Sequence, residues 1–255
     1  VVYFDHSDIV RQQFLGLLYK PLMNRTLNTV SAIIATSPAY AKTSKVLSRA
    51  SIRKRLVIIP LGINEHSYSQ SSDNNILKRL KLDNNLPYFL FLGVLRYYKG
   101  IDTLLKAATD VNATIIVAGS LPKSNSIPIE FQNILTKNTI FVGQVSSSEK
   151  IALIKNCLAV ILPSYLRSEA FGMVLVEASL FGKPMICCEL GTGTSFVNKN
   201  GKTGFVIPPK SSVALAKAMN KLLNDNELVK KFGIDARKRY EKNFSGYQLG
   251  NAYFD

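Results

Sequence analysis

No apolar run in the sequence reaches about 18 residues, so nothing in it reads as a membrane-spanning helix. The opening stretch, VVYFDHSDIV, has neither the basic n-region nor the apolar h-region of a signal peptide. It also lacks a starting Met and opens inside what reads as a strand, which leads us to expect a piece of a longer protein. Cysteine is scarce: Cys187 and Cys188 are adjacent in one apolar run, and Cys157 sits in another. Neither spacing suits a metal site or a disulfide framework, so all three read as small buried hydrophobes of a reducing compartment. Repeats and low-complexity segments are missing as well. Acidic residues are outnumbered, with 17 Asp and Glu against 32 Lys and Arg, a net charge of +15. The surplus gathers at Arg49, Arg53, Lys54 and Arg55, and again at Lys230, Lys231, Arg237, Lys238 and Arg239. Such a surplus attracts polyanions. Without zinc-finger spacing or an aromatic RNA-binding signature, nucleic acid is not the expected partner. A solvated basic face and peripheral contact with an anionic membrane both remain open.

What is present is an alternation of short apolar strands and helical patterns. The 255 residues, 47% hydrophobic, permit one large domain or two small ones. Strands are expected at 1–5, 30–35 and 56–59. Between them lie a helical pattern through Ile9, Phe14, Leu17, Leu18 and Leu22, and a helix at Pro38 capped by Ser37. After Pro60–Ile63 a polar stretch, SYSQSSDNN, reads as a linker. The alternation then resumes, with strands at 88–93, 113–119, 139–143, 158–163 and 184–188. Helices are expected near 101–109, 127–136, 147–155 and 172–182, then at 211–224 and 226–242 after the apolar Gly204–Ile207. This is the α/β pattern of parallel sheets covered by helices on both faces. We divide the chain into a first domain at 1–60, a second at 61–243 and a tail at 244–255, with a return of the tail to the first domain as one option. The second domain reads as a complete doubly wound unit, and the first as part of one. In such sheets ligands sit beyond the carboxyl ends of the strands. The loops 93–100, 119–122, 143–146 and 163–172 fall there.

One stretch organises the rest: Pro163 to Pro184, PSYLRSEAFGMVLVEASLFGKP. Its helix begins near Phe171-Gly172 and is apolar almost all round, which implies burial. Yet Glu177 sits in it, and a buried carboxylate is costly unless paired or hydrogen-bonded. Glu169 lies eight residues earlier, in the loop. Between the two, the N–H groups around Phe171, Gly172 and Met173 open a helix N-terminus that attracts anions. A phosphate at that mouth and a ribose diol at Glu177 would satisfy all of these groups, so the stretch reads as a cradle for a nucleotide diphosphate-sugar. The plainer alternative is a buried helix with one satisfied Glu. In the loop GVLRYYKG, Arg96 can fork onto phosphate oxygens and Lys99 can act as a point charge. An ordinary basic loop is the alternative there.

The string SEAFGMVLVEASLFGKP resembles the E-x7-E signature of the retaining family 4 glycosyltransferases. YFDHSDIVRQ, IATSPAY, IIPLGI, GVLRYYKGIDTLLKA and GTGTSFVNKNGKTGFVIPP follow the order seen in bacterial mannosyltransferase-like members, so the resemblance covers nearly the whole chain. It implies a GT-B fold, with a complete C-terminal Rossmann-like domain and part of an N-terminal one. It implies catalytic roles for His6, which would face the sugar across the cleft, and for Glu169. A lone His is also often structural. Donor binding would fall to Arg96, Lys99, Gly119, Val145, Glu169, Ala170, Phe171, Gly172, Met173, Val174 and Glu177, with Glu177 on the ribose. The family's G-R-x-x-x-x-K-G loop departs here: Val94 stands at the Arg position while Lys99-Gly100 matches, and Arg96 is expected to supply the charge. No Asp-x-Asp occurs, in keeping with the metal-independent chemistry the resemblance implies. No cofactor is expected beyond a GDP- or UDP-linked sugar as co-substrate. The implied reaction moves a hexose, mannose foremost, to a lipid- or saccharide-linked acceptor in surface polysaccharide biosynthesis. The setting would be cytoplasmic, with a peripheral place at the inner membrane as an option. A piece of this kind is expected to bind donor and to transfer it poorly. An epimerase or phosphorylase of related architecture, the latter without a recognisable pyridoxal-lysine motif, and an inactive nucleotide-sugar-binding module are the alternatives.

Overall fold

In the computed structural model, which describes residues 2–5, 13–69, 72–82, 86–120 and 129–254, the apolar segments pair into two parallel sheets. The first part of the chain runs β1 (Val2–Asp5), α1 (Gln13–Thr29), β2 (Ala32–Ala35), α2 (Pro38–Thr43), α3 (Ala50–Arg53) and β3 (Leu56–Ile58). Its strands lie in the order β1-β2-β3. Ile33, Ile34 and Ala35 of the central strand are buried, and Ile33 and Ala35 share one core with Leu27, Tyr40, Leu47 and Ile52. Ser37 caps α2 by accepting from the Tyr40 N–H at 3.1 Å. Helix α1 continues to Thr29, past the expected end near Leu22 and with Pro21 inside it. Proline removes one helical hydrogen bond. The extension is offset by burial of Leu27 and of Val30 just beyond it, 1% and 3% exposed.

The second part begins with a 3-10 turn, Glu65–Tyr68, which overlaps the start of the stretch read as linker, and α4 (Asn75–Arg79), which starts at its last residue. Five residues give too little periodicity to read, yet α4 buries Ile76 and Leu77 in the core. Then follow β4 (Tyr88–Leu92), α5 (Ile101–Ala108), β5 (Thr114–Ala118), α6 (Ile129–Gln132), β6 (Thr139–Gly143), α7 (Ser147–Asn156), β7 (Ala159–Leu162), α8 (Met173–Leu180), β8 (Met185–Cys188), α9 (Thr194–Val197), β9 (Gly204–Ile207), α10 (Ser212–Leu223), α11 (Asn226–Asn243) and α12 (Gly246–Phe254).

The strand order of this sheet is β6-β5-β4-β7-β8-β9, so the winding reverses between β4 and β7. That reversal leaves a crevice at the carboxyl ends of the strands. Strand β4 shows why the sheet is covered on both faces. Tyr88, Leu90 and Leu92 enter one core with α8 and α11, while Phe89 and Phe91 enter the other with α5 and α10. Each such side chain contributes about 1.5–3 kcal/mol on burial. The three cysteines are free and buried in these layers.

The two parts meet along two crossings of the chain. Ile63 donates its N–H to the Phe244 carbonyl at 2.9 Å, and Tyr240 donates its hydroxyl to the Ile63 carbonyl at 3.0 Å. Beyond that point, Tyr253 of α12 stacks on Phe4 of β1 with ring centroids 6.2 Å apart. Among the described residues no helix is long and apolar enough to cross a membrane.

Candidate functional site

The site begins with backbone. Strands β4 and β5 are followed directly by Gly93 and Gly119, with φ of 147° and 151°. A Cβ on Gly119 would stand 1.9 Å from the Gly93 carbonyl oxygen, so the two strand ends approach as only glycine permits. Their flat loops leave a cavity of about 600 Å³ over the switch point. Its walls are Gly93-Val94, Gly119-Ser120, Gln144-Val145 and Glu169–Val174, completed by Leu61, Lys99, Lys150 and Glu177. A larger cavity, about 1080 Å³, opens at the amino end of the sheet beside Pro87, Leu158 and Pro184. Its wall carries Lys183, Lys230, Arg237 and Lys238 and, among the described residues, no carboxylate. Size favours the second cavity, and chemistry favours the first. Only the first combines buried opposite charges with a helix N-terminus.

Helix α8 supplies that terminus. Gly172 precedes it in the left-handed region, at φ 82° and ψ 61°, and no side chain caps the helix. Its first N–H groups therefore lack partners within the helix and lie at the cavity wall formed by Phe171–Val174. The loop before it is held from behind. Thr192 donates its hydroxyl to the Glu169 carbonyl at 2.8 Å, and the Gly193 N–H donates to the Ala170 carbonyl at 2.7 Å.

Two carboxylates flank the mouth, each with its own cation. Lys99 Nζ donates to Glu169 Oε2 at 2.6 Å, and the Ser164 hydroxyl donates to the same oxygen at 2.9 Å. The side chains of this pair are only 14% and 11% exposed. Lys99 follows β4 and Glu169 follows β7, so their bond crosses the switch point. On the other side, Glu177 Oε1 accepts from Lys150 Nζ at 2.8 Å and from the Tyr68 hydroxyl at 2.5 Å. The Tyr68 phenol is held above its ordinary value, chiefly by burial and then by the bond to Glu177, so it stays a donor at neutral pH.

The structure thus gathers Lys99, Gly119, Val145, Glu169, Ala170, Phe171, Gly172, Met173, Val174 and Glu177 into one cavity wall. Arg96 is not brought there. The loop places Val94 on the cavity and buries Leu95 in the core, 4% exposed, which leaves Arg96 exposed and outside the lining. The charge expected from Arg96 is therefore not at the cavity in this structure. His6 lies outside the described residues. Lys150, Tyr68 and Ser164 escape the sequence reading. Lys150 carries one readable signal. The capping box of Ser146 and Glu149 starts α7 beside the carboxyl end of β6, and a cation just after it opposes the helix dipole. Among the described residues no group of three or more His, Cys, Asp or Glu is placed to hold a metal ion.

Comparison with known proteins places this architecture. A family model described as glycosyl transferases group 1 matches residues 72–239. The chain is 39% identical over 248 residues to the O-antigen chain mannosyltransferase C of Escherichia coli, covering 97% of this chain and 66% of that protein. It is 38% identical over 240 residues to the D-rhamnosyltransferase WbpZ of Pseudomonas aeruginosa, covering 94% of this chain and 62% of that protein. It therefore spans a little under two thirds of the length of these relatives. The crystal structure of Anabaena HepE in complex with UDP superposes with a TM-score of 0.84 at 21% identity, over 99% of this chain and 70% of that one. The fold is of the GT-B type. The chain belongs to the glycosyl transferases group 1 family.

Proposed function

We propose that this chain carries the donor-binding part of a retaining, metal-independent glycosyltransferase of surface polysaccharide assembly. The donor is a GDP- or UDP-linked hexose, mannose foremost, and the acceptor is lipid- or saccharide-linked. The work is done on the cytoplasmic side, with the basic surface resting against an anionic membrane. The observation that carries the reading is the Lys99–Glu169 pair beside the uncapped mouth of α8, both facing one cavity. A diphosphate placed there meets a cation and free N–H groups at once. Charge develops on that diphosphate as the glycosidic bond to the leaving group breaks. Preorganised positive groups that strengthen their hold at that moment lower the barrier. In this reading the neutralisation falls to Lys99 and α8 and needs no metal. Glu169 meets the sugar or its near phosphate, and Glu177 meets the ribose. His6 faces the sugar from the other side. Relatives named as a mannosyltransferase and a D-rhamnosyltransferase support the choice of donor class.

The test is calorimetry on the 255-residue chain with GDP-mannose, UDP-glucose, GDP and guanosine. The reading expects a nucleotide-sugar to bind, and GDP to bind at least tenfold tighter than guanosine. It expects Lys99→Met to remove most of that difference. Equal affinities for GDP and guanosine, with UDP no better than uridine, would overturn the diphosphate site.

A further inference from the structure

The donor reading assigns Glu177 to the ribose but leaves open why this carboxylate is clamped so heavily. Two donors converge on a single oxygen, Oε1: the Tyr68 hydroxyl at 2.5 Å and Lys150 Nζ at 2.8 Å. Among the described residues no donor reaches the other oxygen, Oε2. The side chain is 14% exposed, and Glu177 lines the cavity. A carboxylate with one oxygen saturated by the protein and one left over is aimed as well as bound. It cannot rotate without breaking two charge-assisted hydrogen bonds. The clamp is itself supported. The Tyr68 ring packs edge-on against Phe181 with centroids 6.0 Å apart, and Lys150 Nζ lies 5.2 Å from the centroid of the same Tyr68 ring. Lys150 also lines the cavity and is 28% exposed, so its ammonium has protons left for a ligand. Tyr68 comes from the turn between the two sheets, ahead of the residues that the family model matches.

We infer that Tyr68 and Lys150 together make Glu177 a reader of the ribose 2′,3′-diol. Tyr68 is a positioning residue that fixes Oε1, Oε2 accepts from a ribose hydroxyl, and Lys150 donates both to Oε1 and to a ribose oxygen. This inference rests on the donor reading and adds a specificity to it. A diol offers donors to Oε2 and acceptors to Lys150 within one small ring, a match that a deoxyribose cannot make. A buried carboxylate oxygen left without its donor opposes binding of the deoxy form.

The experiment compares GDP with 2′,3′-dideoxy-GDP by calorimetry on wild type, Tyr68→Phe, Lys150→Met and Lys150→Arg. Wild type should prefer GDP by roughly tenfold or more, the range for hydrogen bonds to a charged group. Tyr68→Phe keeps the ring on Phe181 and removes only the hydroxyl, so the fold should survive. It and Lys150→Met should each cut the preference by about fivefold, with the dideoxy affinity within about twofold of wild type. Lys150→Arg should restore part of the preference. Equal loss for both ligands would show a merely structural clamp and overturn the inference. So would an unchanged preference in the variants. If wild type binds GDP and its dideoxy form equally, the diol role falls while the diphosphate site stands. If wild type binds no GDP, UDP and 2′,3′-dideoxy-UDP take their places. Failure of both nucleotides overturns the donor reading and this inference with it.

Discussion

The two ends of the six-stranded sheet make different surfaces from similar residues. At the carboxyl end each lysine has a carboxylate partner, and both pairs are largely buried. At the amino end the cavity is larger, but its ion pairs lie at the surface: Lys230 with Glu227, both more than two-thirds exposed, and Arg237 with the exposed Glu65 and Glu241. Exposed pairs of that kind contribute little. The difference is set by backbone. Gly93, Gly119 and Gly172 hold conformations at the carboxyl end that bring loops together and leave a helix mouth uncapped. Cavity volume, then, is a poor guide to where chemistry lies in this fold. Charge that the fold has taken out of water is a better one.

The comparison can be broken by substitution, beginning with the largest expected effect. Gly119→Ala puts a Cβ 1.9 Å from the Gly93 carbonyl oxygen, a backbone atom that cannot swing aside. We expect a loss of at least about 3 kcal/mol, or failure to fold, in thermal unfolding. A fully stable variant would show that backbone contact does not set this end. Next, Lys99→Met leaves Glu169 nearly buried with Ser164 alone. Removing one partner of such a pair costs about 2–4 kcal/mol, read in urea unfolding. An unaltered midpoint would mean that water already shields the pair. Glu177→Ala should weaken GDP binding by about 1–3 kcal/mol in a folded protein. Unchanged affinity would remove the ribose contact.

A smaller effect tests how α7 presents Lys150. The Glu149 carboxyl is held below its ordinary value of 4.5, first by the Ser146 N–H. A depressed value stabilises the fold above the unfolded carboxylate range, and that contribution fades as pH falls through the lower folded value. Glu149→Gln should therefore cost about 0.5–1 kcal/mol at pH 7 and much less at pH 3. Equal losses at both values would argue against the ionised cap. Smallest of all, Lys183→Met and Lys238→Ala at the amino end, and Arg96→Ala at the outer side of its loop, should shift stability by under about 0.5 kcal/mol. None should alter GDP affinity. A clear loss for either lysine would move the ligand to the other end of the sheet.

Much of this was legible beforehand because the informative patterns were local. Strands bounded by Gly or Pro announced the sheet, and an apolar helix carrying Glu177 announced a carboxylate that needed partners. Lys99 was legible from the glycines that frame its loop. The partners themselves were not. Tyr68 and Glu177 are 109 residues apart, and Lys150 and Glu177 are 27 apart, so only the fold brings them together. Arg96 misled because a cation near a glycine loop says nothing of which way the loop turns, and the burial of Leu95 decided that. Short elements such as α4 and α9 carry less than two turns of periodicity. The continuation of α1 past Pro21 was hidden because packing there outweighs local propensity.

The bond across the switch point has a consequence in time as well as in space. Lys99 and Glu169 are 70 residues apart, and one belongs to each half of the sheet. Local structure such as α7, with its own capping box, can form on its own schedule, but this pair must wait until both halves have docked. Before docking, each would be a solvated single charge. The cradle should thus be among the last features to form during folding and among the first to open when the protein is warmed. Hydrogen exchange at the amides of Ala170 to Val174 should then be faster than in the β4 and β7 strands that support them.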